Sequence, residues 1–305
     1  MEGWSAASDE TCGIPGHSRV APVFQEPLSA RCRRWLLGSA YALQPKRFHL
    51  MPRVTALTIA NMFHGKSVQQ LLRENSLYGE EGLLGISDDL SVEAISDAYS
   101  VGAFPFCHLR PMKWWNPATR AVLFFENTHV EKGTLKLIKR NQFDIAFDKD
   151  FAGVMRACAE PRDGRTPLTW LTPKVMDALW RLHQAGHAHS IEVRDDQSQL
   201  VGGIFGIAIG GIFFGESQFS KVRDVSKIAS AILNCHLSHW GFAVRDAKWL
   251  TPHLTSLGFT TVDREAFSAL LRDHIHRPGR IGPWEFDKTL DVAQWAASLR
   301  KARHA

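Results

Sequence analysis

At 305 residues, with 45% hydrophobic and 22% charged residues, the chain has the composition of a soluble globular protein with room for one large or two ordinary domains. A net charge of +5 permits a nucleic-acid partner through phosphate neutralisation without requiring one. No run approaches the roughly 18 apolar residues that span a bilayer, the start Met1-Glu-Gly-Trp-Ser lacks the basic-then-apolar order of a secretory signal, and five scattered cysteines without a CxxC spacing point to reduced thiols in a cytoplasmic setting.

Residues 1–30 carry Gly, Pro, Ser and charges without periodicity and read as a leader, extending to about residue 53 as an accessory segment. Leu57, Ile59, Ala60, Met62, Val68, Leu71 and Leu72 fall at helical spacing and predict two short helices broken near Gly65. Ser91 is an N-cap for a helix whose buried stripe is Ile95, Ala98 and Tyr99, ending at Gly102. Lys113-Trp-Trp-Asn-Pro117 reads as an aromatic turn. From there strands are predicted at 121–125 and 143–147, helices at 148–158 and 173–186, then three strands at 189–194, 200–209 and 212–219. A helix over 224–239, a strand over 242–249, a helix over 263–274 and a last helix over about 287–301 complete the order. The succession is α+β with a mostly antiparallel sheet, and no GxGxxG or P-loop supports nucleotide chemistry.

The second half holds the polar residues that invite chemistry. Val201 to Ser220 forms two greasy strands joined at Gly210-Gly211 and ends in Glu216-Ser217-Gln218-Phe219, a wall with a carboxylate at its mouth. Asp246 and Lys248 share one face of a strand and are either an acid–base pair or a surface ion pair. His253 opens a short helix. His187-Ala-His189 lacks a third ligand, so no metal is expected. Trp114, Trp115, Trp170, Phe213 and Phe219 are enough aromatics to line a pocket or stack a base. With no Gly-x-Ser-x-Gly elbow and no cysteine beside a base, the chemistry left is an uncharged nucleophile attacking an activated carbonyl.

These motifs, in unbroken order from about 80 to 275, resemble the bacterial leucyl/phenylalanyl-tRNA–protein transferases: Gly82-Leu-Leu-Gly-Ile-Ser-Asp-Asp-Leu-Ser91, Tyr99-Ser-Val-Gly-Ala-Phe-Pro-Phe106, Trp114-Trp-Asn-Pro-Ala-Thr-Arg-Ala-Val-Leu123, Thr169-Trp-Leu-Thr172 and Gly215-Glu-Ser-Gln-Phe-Ser220. The resemblance implies a small N-terminal α/β domain (54–125), a C-terminal acetyltransferase-like (GNAT-like) domain (126–277) and a one-helix extension (278–305). It implies transfer of Leu, Phe or a related amino acid from tRNA to the α-amine of a protein that begins with Arg or Lys, marking it for N-degron proteolysis, without a metal or dissociable cofactor; the sequence leaves the oligomeric state open, with a monomer favoured. Glu216 would orient the aminoacyl end or the amine, and Asp246 would be the acid of the family's Asp-x-Gln pair, with Lys248 at the pair's second position. Trp114, Trp115 and Trp170 would hold the terminal adenosine. Ile204, Phe213, Phe219 and Leu233 would wall the side-chain pocket, with Ser217, Gln218 and His253 beside it.

Against the family pattern, Lys248 stands where Gln is usual, and Gln218 and Ile204 stand where Met is usual. A polar Gln218 in an apolar pocket implies a more polar aminoacyl group. Two further readings follow from these departures: transfer to a small-molecule or peptide amine, and a non-catalytic relative that binds aminoacyl-tRNA or degrons.

Overall fold

Two sheets of unequal size organise the chain in a computed structural model that describes residues 24–63, 65–74, 81–161 and 167–303. Helices α1 (Leu28–Ala42), α2 (Met51–Phe63) and α3 (Val68–Glu74) lead into the smaller sheet. Strands β1 (Leu83–Ile86), β2 (Phe104–Pro105) and β3 (Lys113–Trp115) pair antiparallel in the order β1-β3-β2, with α4 (Val92–Ser100) between the first two. The Ser91 hydroxyl accepts the Ala94 N–H at 3.2 Å, so α4 begins at the cap its sequence indicates.

Next come β4 (Thr119–Phe124), α5 (Lys132–Lys139), β5 (Asp144–Phe147), α6 (Phe151–Ala159), α7 (Pro173–Gln184), β6 (Ala188–Arg194), β7 (Leu200–Ile209) and β8 (Ile212–Ser220). The chain ends with α8 (Val225–His239), β9 (Val244–Asp246), α9 (Pro252–Ser256), β10 (Thr260–Asp263), α10 (Arg264–His274) and α11 (Val292–Arg303). The seven-stranded sheet runs β10-β4-β9-β8-β7-β6-β5. Every pairing in it is antiparallel except β8–β9, where α8 makes the crossover that parallel neighbours need. This is the α+β, mostly antiparallel arrangement that the succession of elements predicts.

Alternation along β7 divides the core in two. Phe205 and Ile207 join Phe214 and Phe219 in the cluster covered by α4, α6 and α7. Ile204 and Ala208 point the other way and join Phe213, Leu233 and the apolar stripe of α8. Among the described residues no helix is long and apolar enough to cross a membrane.

Several elements depart from the sequence pattern. The aromatic turn at 113–117 is partly strand, because Trp114 and Trp115 pair with both neighbours of the small sheet. The strand expected over 242–249 contracts to Val244–Asp246. Strand β4, which the sequence grouped with the small domain, lies inside the large sheet between β10 and β9. Helices α1 and α5 and strand β10 have no counterpart among the predicted elements. Part of the presumed leader is built into the core, since Phe24 is buried there and Arg34 pairs with Glu26 at 2.8 Å; residues 1–23 lie outside the described residues. The C-terminal extension folds back, with α11 against α5 and α8 and Trp284 buried and stacked 3.8 Å from His189.

Candidate active site

The hairpin and β9 meet where the regular ladder breaks twice. On β8, Ser217 pairs with Phe205 and Gly215 with Gly206, so Glu216 is an extra residue in a β-bulge. A bulge re-aims a side chain, and here it brings Glu216 onto the same side as Tyr99. The β8–β9 pairing stops at Phe214 and Asp246, while β8 runs on to Ser220. The two parallel strands part at that point, and the polar residues gather in the gap.

Lys248 closes the gap from below. Its φ of +61° puts a bulky residue in the left-handed region, a conformation that costs energy and concentrates at functional sites. The turn is held by the Lys248 N–H donating to Asp246 Oδ1 at 3.2 Å and by the Lys248 carbonyl accepting from Ala121 N at 3.1 Å. The ammonium donates to the Gly215 carbonyl at 2.9 Å and to Glu216 Oε1, and stands 3.9 Å from Asp246 Oδ2. Asp246 and Lys248 therefore do meet, but through this turn and not through strand alternation, since β9 ends at Asp246. With side chains 0% and 6% exposed, they are not the surface ion pair that spacing alone allowed.

Two residues absent from the sequence-derived set complete the network. Arg120, fully buried on β4, donates from Nε and Nη2 to the two Asp246 oxygens at 2.9 Å each, and from Nη1 to the Gly102 carbonyl. Its guanidinium lies over the rings of Phe104 and Phe267, at 4.9 and 4.4 Å from their centroids. Tyr99 donates its hydroxyl to Glu216 Oε1 at 2.9 Å. Burial, then the Glu216 carboxylate, push the Tyr99 phenol well above its ordinary range, so it stays a donor. Burial works against ionising Asp246, but the Arg120 charge and hydrogen bonds, followed by Lys248, outweigh it and hold the carboxyl below the usual range. The readable signal for Arg120 was a lone guanidinium inside the apolar strand 119–124, which demands a buried counter-charge.

The aromatic residues separate. Trp114 is fully buried, its indole N–H donating to Ser87 O at 2.9 Å, and supports the small sheet. Trp115 is half-buried and donates to Phe106 O at 2.8 Å. Trp170 lies 6.0 Å from the Phe106 ring. The sequence-derived set also lacks Trp249: next to Lys248 and 44% exposed, it packs edge-on against Phe104 and Phe106 at 5.1 and 5.2 Å.

Ile204, Phe213 and Leu233 are buried together on the α8 side, whereas Phe219 is buried on the opposite face, so the four do not wall one chamber. Ser217 and Gln218 are half-buried, and Gln218 pairs in register with Ile204 and so shares its face. His253 lies on α9 behind a cap made by Thr251. His189 is bonded to Asp148 at 2.8 Å, and among the described residues no group of three or more His, Cys, Asp or Glu is disposed to hold a metal ion.

Comparison with known proteins adds an independent observation. Residues 122–272 match the family described as leucyl/phenylalanyl-tRNA protein transferase, and residues 88–118 match that family's N-terminal domain. Similar proteins carry the name leucyl/phenylalanyl-tRNA–protein transferase. The one from Pseudomonas fluorescens is 42% identical over 207 residues, which is 67% of this chain and 89% of the relative. Those from Hydrogenovibrio crunogenus and Thiobacillus denitrificans are also 42% identical, covering 71% and 70% of this chain and 83% and 93% of their own. Among solved structures, L-PGS from Bacillus licheniformis is a remote likeness, 12% identical with a TM-score of 0.31 over 68% of this chain and 69% of that one.

Proposed function

Because the chain belongs to the leucyl/phenylalanyl-tRNA–protein transferase family, we propose that it moves an aminoacyl group from tRNA to the α-amine of a protein beginning with Arg or Lys, in the cytoplasm and in the service of N-degron proteolysis. The observation that carries this reading beyond the family match is the closed charge network at the parted strands. It joins the bulged Glu216, Lys248 and Asp246 without a covalent nucleophile or a metal set among the described residues.

The reaction asks for little more. The ester that links the amino acid to the terminal ribose is already activated. The incoming amine attacks its carbonyl carbon, a C–N bond forms, the ester C–O bond breaks, and one proton travels from the amine to the leaving ribose oxygen. Positioning supplies most of such an acceleration. Tyr99 and Lys248 both donate to Glu216 Oε1, so Oε2 is the oxygen left to face the amine, and Glu216 is the proton carrier. Lys248 faces the oxygen on which negative charge develops, and Arg120 locks Asp246 so that the Lys248 turn stays in place. Trp249, with Trp115 and Trp170 nearby, offers the face on which the terminal adenine stacks.

Incubation with a set of labelled aminoacyl-tRNAs and a peptide starting with Arg tests this. Label should appear at the peptide α-amine; absence of transfer from every aminoacyl-tRNA overturns the reading.

A further inference from the structure

Asp246 is one of two adjacent β9 residues that bury a charge, and its neighbour faces the other side of the sheet. Arg245 is 3% exposed. Its Nη1 donates to Ser230 Oγ at 2.9 Å and Asn234 Oδ1 at 3.0 Å, both on α8, and its guanidinium lies 5.5 Å from the Phe259 ring. All of these groups are neutral. Arg245 Nε is buried and has no hydrogen-bond partner among the described residues. Arg120, on the strand beside it, shows the contrast: there both carboxylate oxygens of Asp246 sit 2.9 Å away. Burial alone acts on Arg245, pulling its pKa down to about 10, with no carboxylate to oppose it. An unpaired buried cation costs stability, and the fold keeps one here.

The open edge of this guanidinium has a direction. Nη1 is taken up by α8, while Nε and Nη2 face Gly215, the residue before Glu216. A Cβ placed on Gly215 would stand 3.3 Å from the Asp246 carbonyl oxygen, 3.5 Å from Arg245 Nε and 3.8 Å from Nη2. Gly215 borders the gap where β8 leaves β9, and Arg245 is in register with Phe213 just inside it. Ile204, Phe213 and Leu233 occupy the same side, as does Gln218 by its pairing with Ile204. The groups suited to the reacting ester lie on one side of the parted strands, and a buried Nε–Nη2 fork lies on the other.

We propose that Arg245 is the specificity-determining residue for the donor, and that the aminoacyl group it selects ends in a carboxylate, as glutamyl and aspartyl groups do. This rests on the aminoacyl-tRNA transfer proposed above. The donor side chain passes Gly215 and its carboxylate takes the Nε–Nη2 edge in a bidentate pair, the geometry for which guanidinium is shaped. A leucyl or phenylalanyl side chain at the same place would cover the cation without neutralising it.

Two measurements test the proposal. Transfer to an Arg-starting peptide is compared among glutamyl-, aspartyl-, glutaminyl-, leucyl- and phenylalanyl-tRNA, and binding of the non-hydrolysable 3′-amide of glutamyl-adenosine is compared with that of its glutaminyl isostere. The acidic donors should transfer fastest, and the glutamyl amide should bind about 10- to 100-fold tighter than the glutaminyl one, the range expected for a charge-assisted pair. Arg245→Met should abolish that preference and favour leucyl transfer. Preference of the wild-type protein for leucyl- or phenylalanyl-tRNA, or equal binding of the two amides, overturns the proposal while leaving the transferase reading intact. No transfer from any donor overturns the transferase reading, and the wild-type amide comparison still decides Arg245 without any variant.

Discussion

Lys248 and Glu216 form an ion pair across the point where β8 and β9 separate, and each reaches the other through a local irregularity: a left-handed backbone at Lys248 and a bulge at Glu216. Neither side chain is more than 6% exposed, so the pair exists at the expense of desolvation and must be hydrogen-bonded throughout to persist. The Gly215 carbonyl and the Tyr99 hydroxyl provide those bonds.

Lys248→Met should therefore lower stability by about 3 kcal/mol, because it strands Glu216 without its cation. Lys248→Gln should cost less, about 1 kcal/mol, since an amide still donates to Glu216 and the Gly215 carbonyl. Transfer should survive in the Gln variant and be lost in the Met variant. Urea titration with a transfer assay checks both; equal loss in the two variants would show that charge, and not donation, is what the site requires.

Arg120→Met should destabilise the fold by about 3–5 kcal/mol, and Asp246→Asn by a similar amount, because each leaves the other charge buried and alone. The double variant should lose clearly less than the sum, which a double-mutant cycle reads directly. Additive losses would mean that the bidentate contact is not the source of the coupling.

Glu192 gives the fold a pH dependence remote from the site. It is fully buried, bonded to the Ser190 hydroxyl and to Lys149 N at 3.2 Å, and burial raises its pKa from 4.5 to about 7. Between those values the folded state holds the proton that the unfolded state has released, so stability falls as pH rises from 4.5 to 7, by about 3 kcal/mol from this group. Burial lowers the pKa of His189, whose own contribution therefore rises with pH below 6.5. The difference between wild type and Glu192→Gln isolates the Glu192 slope. A difference that does not change between pH 4.5 and 7 would refute it.

Trp284→Ala should cost about 3–5 kcal/mol, the usual loss for a buried Trp. The indole is 1% exposed, stacks on His189 at 3.8 Å and packs edge-on against Trp240 at 4.9 Å. Its backbone N–H also donates to Asp148 at 2.7 Å, a bond that survives the substitution. Thermal unfolding measures the loss; an unchanged midpoint would show that the extension is only draped on the body.

Local pattern determined much of this protein. Alternation set the strands of the hairpin, the Ser91 cap set α4, and the apolar wall closing on Glu216 marked the candidate site, because each follows from contacts a few residues apart. Resemblance of ordered motifs carried the family. Tertiary structure alone decided the partners of the charges: Asp246 was readable, but its guanidinium lies 126 positions earlier on a strand that only sheet formation brings alongside. It also decided that Ile204 and Phe219 face opposite ways, since a one-residue bulge at Glu216 resets the alternation that the sequence pattern assumes to be continuous. Arg245 is the sharpest case. In sequence it is one more basic residue beside an acid; only the sheet turns it away from that acid and buries it where its counter-charge must come from outside.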